Sequence, residues 1–257
     1  MDLRSIKLDW QRARAYIEIA DAKGERTVEL EGDAFGRIIQ STDPLIRAVL
    51  AEVRPRRPDP AGSPSDASFW TELYRSNGDG WELGRATPPL ARFVRENKVD
   101  GLRTLVVGCG RGHEARLFAR AGAQVVGIDF SSDAIAEAER LSIGEKAPVE
   151  FRCRDLFALT KDEGLYDLVV EHCCYCAIEP RRRVEYVEVV TSLLNPGGRV
   201  VGLFYSHGRV GGPPFSVSED ELRASFGARF RVESWERPVD SVAARTGQEL
   251  LAVFRKS

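Results

Sequence analysis

The residues best placed to do chemistry lie in one block, residues 104–130, TLVVGCGRGHEARLFARAGAQVVGIDF. Gly108, Gly110 and Gly112 allow a backbone turn to pass close beneath a ligand. Asp129 ends the next apolar run, where its carboxylate can take two ribose hydroxyls. Glycine spacing indicates which nucleotide such a turn serves. A dinucleotide fingerprint needs G-x-G-x-x-G, so that a pyrophosphate rests on the helix N-terminus. Here the third glycine comes one residue early, and His113 occupies the place reserved for it. G-x-G-x-G with an acid at the next strand's end is the usual arrangement for S-adenosylmethionine, which carries no phosphate but offers a zwitterionic methionine end and a ribose. The block predicts a methyl-donor site with Gly108, Cys109, Gly110, Asp129 and Phe130 among its contacts.

These residues need elements to hold them. Leu105, Val106 and Val107 form a branched apolar run of the kind buried on both faces of a parallel sheet. A helical segment with Ala115, Leu117, Phe118 and Ala119 follows, then a second strand over 125–128. Strand, glycine turn, helix and strand make half of a nucleotide-binding βαβ fold. Ser131 is an N-cap for a helix over 133–141, and residues 149–153 form a third strand. In open parallel sheets ligands gather outside the strands' carboxyl ends. Asp155 is therefore expected to meet an adenine amino group, with Leu156 or Phe157 on the ring. A fourth strand, 166–171, ends at the same edge in Glu171, a further candidate cofactor contact. A helix over 184–194 breaks at Asn195-Pro196-Gly197-Gly198 before a fifth strand ending in Tyr205. Ser218-x-x-Glu221 is a capping box, and 229–235 and 250–255 supply two last strands. The pattern predicts an α/β fold with a doubly wound, seven-stranded, mostly parallel sheet.

Residues 1–60 stand apart from this pattern as an N-terminal extension, and 61–257 form the donor-binding domain. Strand-like alternation over 13–19 and 27–30, with a turn between, suggests a hairpin. Asp43-Pro44 opens a short helix with Leu45, Ile46, Val49 and Leu50 on one face, and the proline-rich stretch 54–68 reads as a linker or loop. The 257 residues carry 30% charged side chains and a net charge of -2, so there is no basic footprint for nucleic acid. Arg181-Arg182-Arg183, the dense basic run, reads as a solvated helix start. No apolar stretch approaches the roughly 20 residues of a membrane span. Five cysteines, an odd number with three crowded together, do not look like a disulfide framework, and a reduced, cytoplasmic setting is expected. Monomer and homodimer both stay open.

Five blocks, WELGRATPPL at 81–90, VVGCGRGHEA at 106–115, CAIEP at 176–180, LNPGGR at 194–199 and GGPPFSVS at 211–218, resemble the thiopurine methyltransferase family of class I S-adenosylmethionine-dependent enzymes. The likeness is greater to its halide and thiol methyltransferase branch and leaves the N-terminal extension out. The resemblance implies that Trp81, and upstream Trp70, line the cleft around donor and acceptor. It implies that Gly108, Asp129 and Asp155-Leu156 hold the donor, that His172 adjoins it and that Tyr205 faces the acceptor. Cys173, Cys174 and Tyr175 stand where plant relatives are more aromatic, so a different acceptor pocket is expected.

Methyl transfer from a sulfonium is an in-line displacement. Thiolates and halides need little base help, because a thiol is already partly ionised near neutral pH. Aromatic faces help hold the sulfonium, and Trp81, Tyr175 and Tyr205 are the candidates for that wall. Among His113, His172 and His207, His207 is the acid/base candidate if one is needed, so Tyr205 and His207 are the expected catalytic residues. His172-Cys173-Cys174-Tyr175-Cys176 invites a zinc reading, but no second paired cluster accompanies it, and no metal is expected. The resulting expectation is a methyltransferase for a small soft nucleophile: a thiol first, a halide or metalloid anion next. Two alternatives are a methyltransferase for a larger biosynthetic intermediate, with residues 1–60 as its lid, and a non-catalytic S-adenosylmethionine-binding module.

Overall fold

The structure, a computed structural model, describes residues 2–9, 14–21, 24–31, 62–76 and 78–257. Strands β1 (Asp2–Asp9), β2 (Arg14–Asp21) and β3 (Gly24–Glu31) pair antiparallel in that order. The expected hairpin is β2 with β3, and β1 adds a third strand that the sequence pattern did not indicate. A register shift between Leu3 and Ser5 interrupts the period-2 alternation by which a strand is recognised. The helix expected near Asp43 lies outside the described residues.

The main sheet contains β4 (Arg103–Val107), β5 (Gln124–Asp129), β6 (Val149–Cys153), β7 (Tyr166–His172), β8 (Leu194–Tyr205), β9 (Phe230–Glu236) and β10 (Glu249–Lys256). Their order is β6-β5-β4-β7-β8-β10-β9. The first five run parallel, while β10 is antiparallel to both β8 and β9. Strand β8 starts earlier than expected. Its pairing with β7 continues back to Leu194 across a register shift, so the Asn195–Gly198 stretch belongs to the strand as well as ending the helix before it.

Among the described residues, six helices flank the sheet: α1 (Ala67–Arg75), α2 (Pro88–Glu96), α3 (His113–Arg120), α4 (Ser132–Leu141), α5 (Arg183–Leu193) and α6 (Glu219–Gly227). Alternate strand residues feed opposite faces. Leu105 and Val107 join a core with Tyr186 and Val190 of α5 and Phe226 of α6. Val106, Leu168 and Val170 join a second core with Phe93 of α2 and Phe118 of α3. Local signals set the helix starts. Ser131 Oγ accepts from the Ala134 amide to cap α4, Ser218 Oγ accepts from the Glu221 amide to cap α6, and Pro88 and Pro89 occupy the first turn of α2. The carboxyl ends of β4 to β8 converge on one edge, and the site sits there.

Candidate active site

The turn after β4 is left-handed at Gly108, Gly110 and Gly112, with φ of 55°, 51° and 74°. Such angles strain any residue with a Cβ. Space requires glycine as well. A Cβ on Gly108 would lie 2.9 Å from Cys174 Sγ, and one on Gly112 2.6 Å from the Phe151 ring. Asp129 fixes the turn by accepting the Gly110 amide at 3.0 Å and the Ser131 amide at 2.9 Å, one on each oxygen. Each oxygen keeps a lone pair that can accept a ligand hydroxyl. Burial pushes the Asp129 carboxyl up to about 6, partly offset by these amide hydrogen bonds.

The turn opens into a cavity of about 940 Å³. Trp70, Trp81, Cys109, Phe130, Asp155, Leu156, Phe157, His172 and Tyr205 line it together with Gly108, Gly110 and Asp129. Trp70 and Trp81 meet edge to face at 5.5 Å, and Tyr74 meets Trp81 at 5.7 Å. Asp155 Oδ1 accepts the Phe157 amide at 2.9 Å, which shapes the short turn beyond β6, and the Arg182 guanidinium covers the Phe157 ring at 3.6 Å. On the opposite wall the buried Arg245 links three elements. It donates to the Trp81 carbonyl at 2.8 Å, to His172 Nε2 at 3.0 Å and to Cys173 Sγ at 3.3 Å. Nδ1 of His172 faces Glu114 Oε1 at 3.1 Å, so the imidazole donates there and accepts from Arg245. The Trp81 loop is also tied to the glycine turn, through Arg111 to Asp79 at 2.6 Å and His113 to Glu82 at 2.9 Å.

Comparison with known proteins identifies this arrangement. The family model described as thiopurine S-methyltransferase matches residues 65–256. The chain belongs to that family. Thiocyanate methyltransferase 1 of Arabidopsis thaliana is 32% identical over 194 residues, which cover 73% of this chain and 84% of the relative. A thiopurine S-methyltransferase of Photobacterium profundum is 32% identical over 63% of this chain and 82% of its own length. In fold, the chain is similar to the 1,6-didemethyltoxoflavin-N1-methyltransferase of Burkholderia thailandensis, solved with S-adenosylhomocysteine. That likeness has a TM-score of 0.61 at 17% identity and covers 100% of both chains. The protein is thus an S-adenosylmethionine-dependent methyltransferase.

This methyltransferase's cavity fits that donor. It pairs a buried carboxylate that has acceptor capacity left with a glycine turn whose backbone lines the wall, and it puts apolar Leu156 and Phe157 beyond the neighbouring strand. Three residues expected at the site are placed elsewhere. Tyr175 is fully buried in the core, its ring edge to face with Tyr186 at 5.1 Å and Phe204 at 5.5 Å. Simple alternation beyond β7 would aim it at the ligand, but the chain coils there into a turn and carries it under the sheet edge. Glu171 does not reach the cavity either. Its Oε1 accepts the amides of Cys174 and Tyr175, and its Oε2 accepts the Tyr186 hydroxyl. His207 is outside the lining too, and both its ring nitrogens are occupied. Nδ1 accepts the Arg209 amide at 3.1 Å, which leaves Nε2 to donate to the Pro214 carbonyl at 3.2 Å. It staples the GGPPF loop and is not free to act as a base.

The basic run also differs from expectation. Arg183 is buried, bonded to the Phe215 and Ser216 carbonyls, and Arg182 lies in the cavity wall. Sequence reasoning missed Arg245 and Tyr74. Arg245 sits on a short turn between β9 and β10, and no local pattern marks it, because the pairing of β10 with β8 brings it to the site. Among the described residues, no group of three or more His, Cys, Asp or Glu side chains is arranged to hold a metal ion.

Proposed function

We propose that the protein transfers the methyl group of S-adenosylmethionine to a small soft nucleophile, a thiol or thiocyanate-like sulfur anion first and a halide or metalloid anion next. The observation that carries this reading is Arg245, whose guanidinium lies 5.6 Å from the Tyr205 ring centroid and is bonded to the Trp81 carbonyl. Arg245 is also paired with Glu249 Oε1 at 3.4 Å, so its part in this reading is to hold the Trp81 wall in place, and a cavity walled by Trp81 and Tyr205 suits a soft, polarisable acceptor. Such an acceptor needs no strong base, consistent with a His207 whose nitrogens are already engaged. The names of the relatives, thiocyanate, thiol and thiopurine methyltransferases, support the same class.

When bound, the donor supplies an electrophilic methyl on its sulfonium. In this reading Asp129 accepts the ribose hydroxyls, the Gly108 to Gly110 backbone lies against the donor, and Asp155, Leu156 and Phe157 hold the adenine. Trp81 and Tyr205 face the sulfonium, an attraction worth about 0.5–2 kcal/mol. The protein contributes alignment and removal of water from the nucleophile. Residues 61–257 form the catalytic domain and 1–60 an extension. Five free cysteines suit a cytoplasmic setting.

The test is a panel assay with labelled donor against thiols, thiocyanate, iodide and selenite, alongside phenol, carboxylate and amine acceptors, with products identified by mass. Transfer to sulfur acceptors is expected to dominate. Transfer confined to oxygen or nitrogen acceptors would refute the substrate assignment.

A further inference from the structure

Four of the five cysteines, Cys109, Cys173, Cys174 and Cys176, line the cavity, and methyl transfer uses none of them. They are not equivalent. Cys109 is buried, and Cys174 packs against Gly108, with burial raising both thiols well above their ordinary range. Cys173 differs. It is the one non-glycine described residue with a positive φ, 64°, and this backbone turn sets its side chain against Arg245 Nη1 at 3.3 Å. Cys176 folds back over the same turn, its thiol donating to the Cys173 carbonyl oxygen at 3.3 Å, and the two side chains are neighbours. The neighbouring Cys176 thiol, then Arg245, pull the Cys173 thiol well below its ordinary range against the opposite push of burial. The Cys173 side chain, with burial, raises the Cys176 thiol. One sulfur faces a guanidinium at the cavity wall, which favours its ionised form, and its partner three residues on donates its proton to a carbonyl. A reactive dithiol needs that asymmetry.

We propose that Cys173 and Cys176 form a peroxide-sensitive dithiol, and that their oxidation to a disulfide shuts the methyl-transfer site reversibly. The Cys173 thiolate attacks one peroxide oxygen. The O–O bond breaks, an S–O bond forms and leaves Cys173 as a sulfenic acid, and the departing hydroxide becomes water by taking up the proton that Cys173 released to solvent when it ionised. The Cys176 sulfur then attacks the Cys173 sulfur. Its S–O bond breaks, and the oxygen leaves as water with the Cys176 proton. Two thiols and one peroxide become one disulfide and two waters, the peroxide gaining the two electrons that the thiols lose.

The consequence for the site follows from what the thiolate holds. Arg245 bonds Cys173 through Nη1 and the Trp81 carbonyl through Nη2. A disulfide sulfur carries no charge, so Arg245 keeps Glu249 at 3.4 Å as its anionic partner but loses Cys173, is drawn toward Glu249, and its clamp on the Trp81 loop weakens. The turn is also tied to the acceptor-side loop, because the Phe215 amide donates to the Cys176 carbonyl at 2.7 Å. Closing the dithiol therefore strains both walls of the cavity at once. Cys174, between the two sulfurs in sequence, takes no part.

The experiment treats the full-length protein with hydrogen peroxide and then with dithiothreitol, following intact mass, peptide-mapped disulfides and methyl transfer to a thiol. The wild type is expected to lose about 2 Da per molecule, map to a Cys173–Cys176 link, and lose roughly tenfold or more of its activity, which dithiothreitol restores. Cys176→Ser should accumulate a dimedone-reactive Cys173, and its activity loss should become irreversible as oxidation proceeds. Cys174→Ser, normalised to its own untreated rate, should respond like the wild type. A disulfide between any other pair, or no disulfide at peroxide levels that inactivate, overturns the proposal, and the wild-type map decides this even if a variant fails to fold. The activity arm rests on the proposed methyl transfer. The mass arm does not, so failure of one reading is distinguishable from failure of the other.

Discussion

Asp129 has two tasks: its oxygens fix the glycine turn through two backbone amides, and its spare lone pairs face the donor cavity. Only the ionised carboxylate can do both fully, and burial raises its pKa to about 6. The donor's ribose hydroxyls need acceptors, so donor binding favours the charged form. Affinity should be complete above about pH 6 and should weaken as pH falls through that value, by up to about tenfold per pH unit. Calorimetry of S-adenosylhomocysteine binding between pH 5 and 8 reads this directly, and a dissociation constant that stays flat across the range rules it out. Asp129→Asn should weaken binding by roughly 10- to 100-fold at pH 8, the cost of hydrogen bonds to a lost charge. The position of Asp129 was legible because a buried strand and a glycine turn both leave local traces. Tyr175 and Arg245 leave none. One was misplaced by extending strand alternation into a turn, and the other reaches the site only through antiparallel pairing of β10 with β8.

At the scale of elements, the turn after β7 forms part of the cavity wall. Glu171 organises it by accepting two turn amides and the Tyr186 hydroxyl of α5, while burial pushes its carboxyl up to about 7. In the unfolded chain that carboxyl ionises near its ordinary value of 4.5. Between the two values the unfolded state has released a proton that the folded state still holds, so rising pH favours unfolding there and levels off above about 7. The loss is on the order of 3 kcal/mol. Glu171→Gln cannot titrate, and its amide can still accept both N–H groups. Urea unfolding at pH 5 and pH 8 should show the variant gaining on the wild type at the higher pH by about that amount. An equal difference at both pH values would dismiss the role assigned to Glu171. The strands and helices of this sheet were readable from apolar periodicity and caps. The turn was not, because its path depends on hydrogen bonds to a buried side chain and on a left-handed cysteine.

Across the whole molecule, the division of labour between residues 1–60 and the remainder can be argued from where the site is built. The described residues that line the cavity begin at Pro64, and the family match begins at residue 65. The strands that carry the proposed donor contacts, β4 to β7, and the helices that cover them all follow that point. The Arabidopsis and Photobacterium relatives are matched over more than four fifths of their length, for example 84% of the Arabidopsis thiocyanate enzyme by 73% of this chain. Strands β1 to β3 form a separate sheet with their own hydrogen-bonded ladder and add no strand to the seven-stranded one. We therefore expect a protein comprising residues 61–257 to fold cooperatively and to bind S-adenosylhomocysteine within about twofold of the full-length affinity, since every donor contact assigned above is retained. Parallel calorimetry and thermal unfolding of the two forms check this. If the extension is instead a lid over the acceptor, the shortened enzyme will bind the donor normally but transfer methyl groups to a different set of acceptors. If donor affinity itself collapses while the shortened protein stays folded, residues 1–60 complete the donor site and the two-part organisation is wrong.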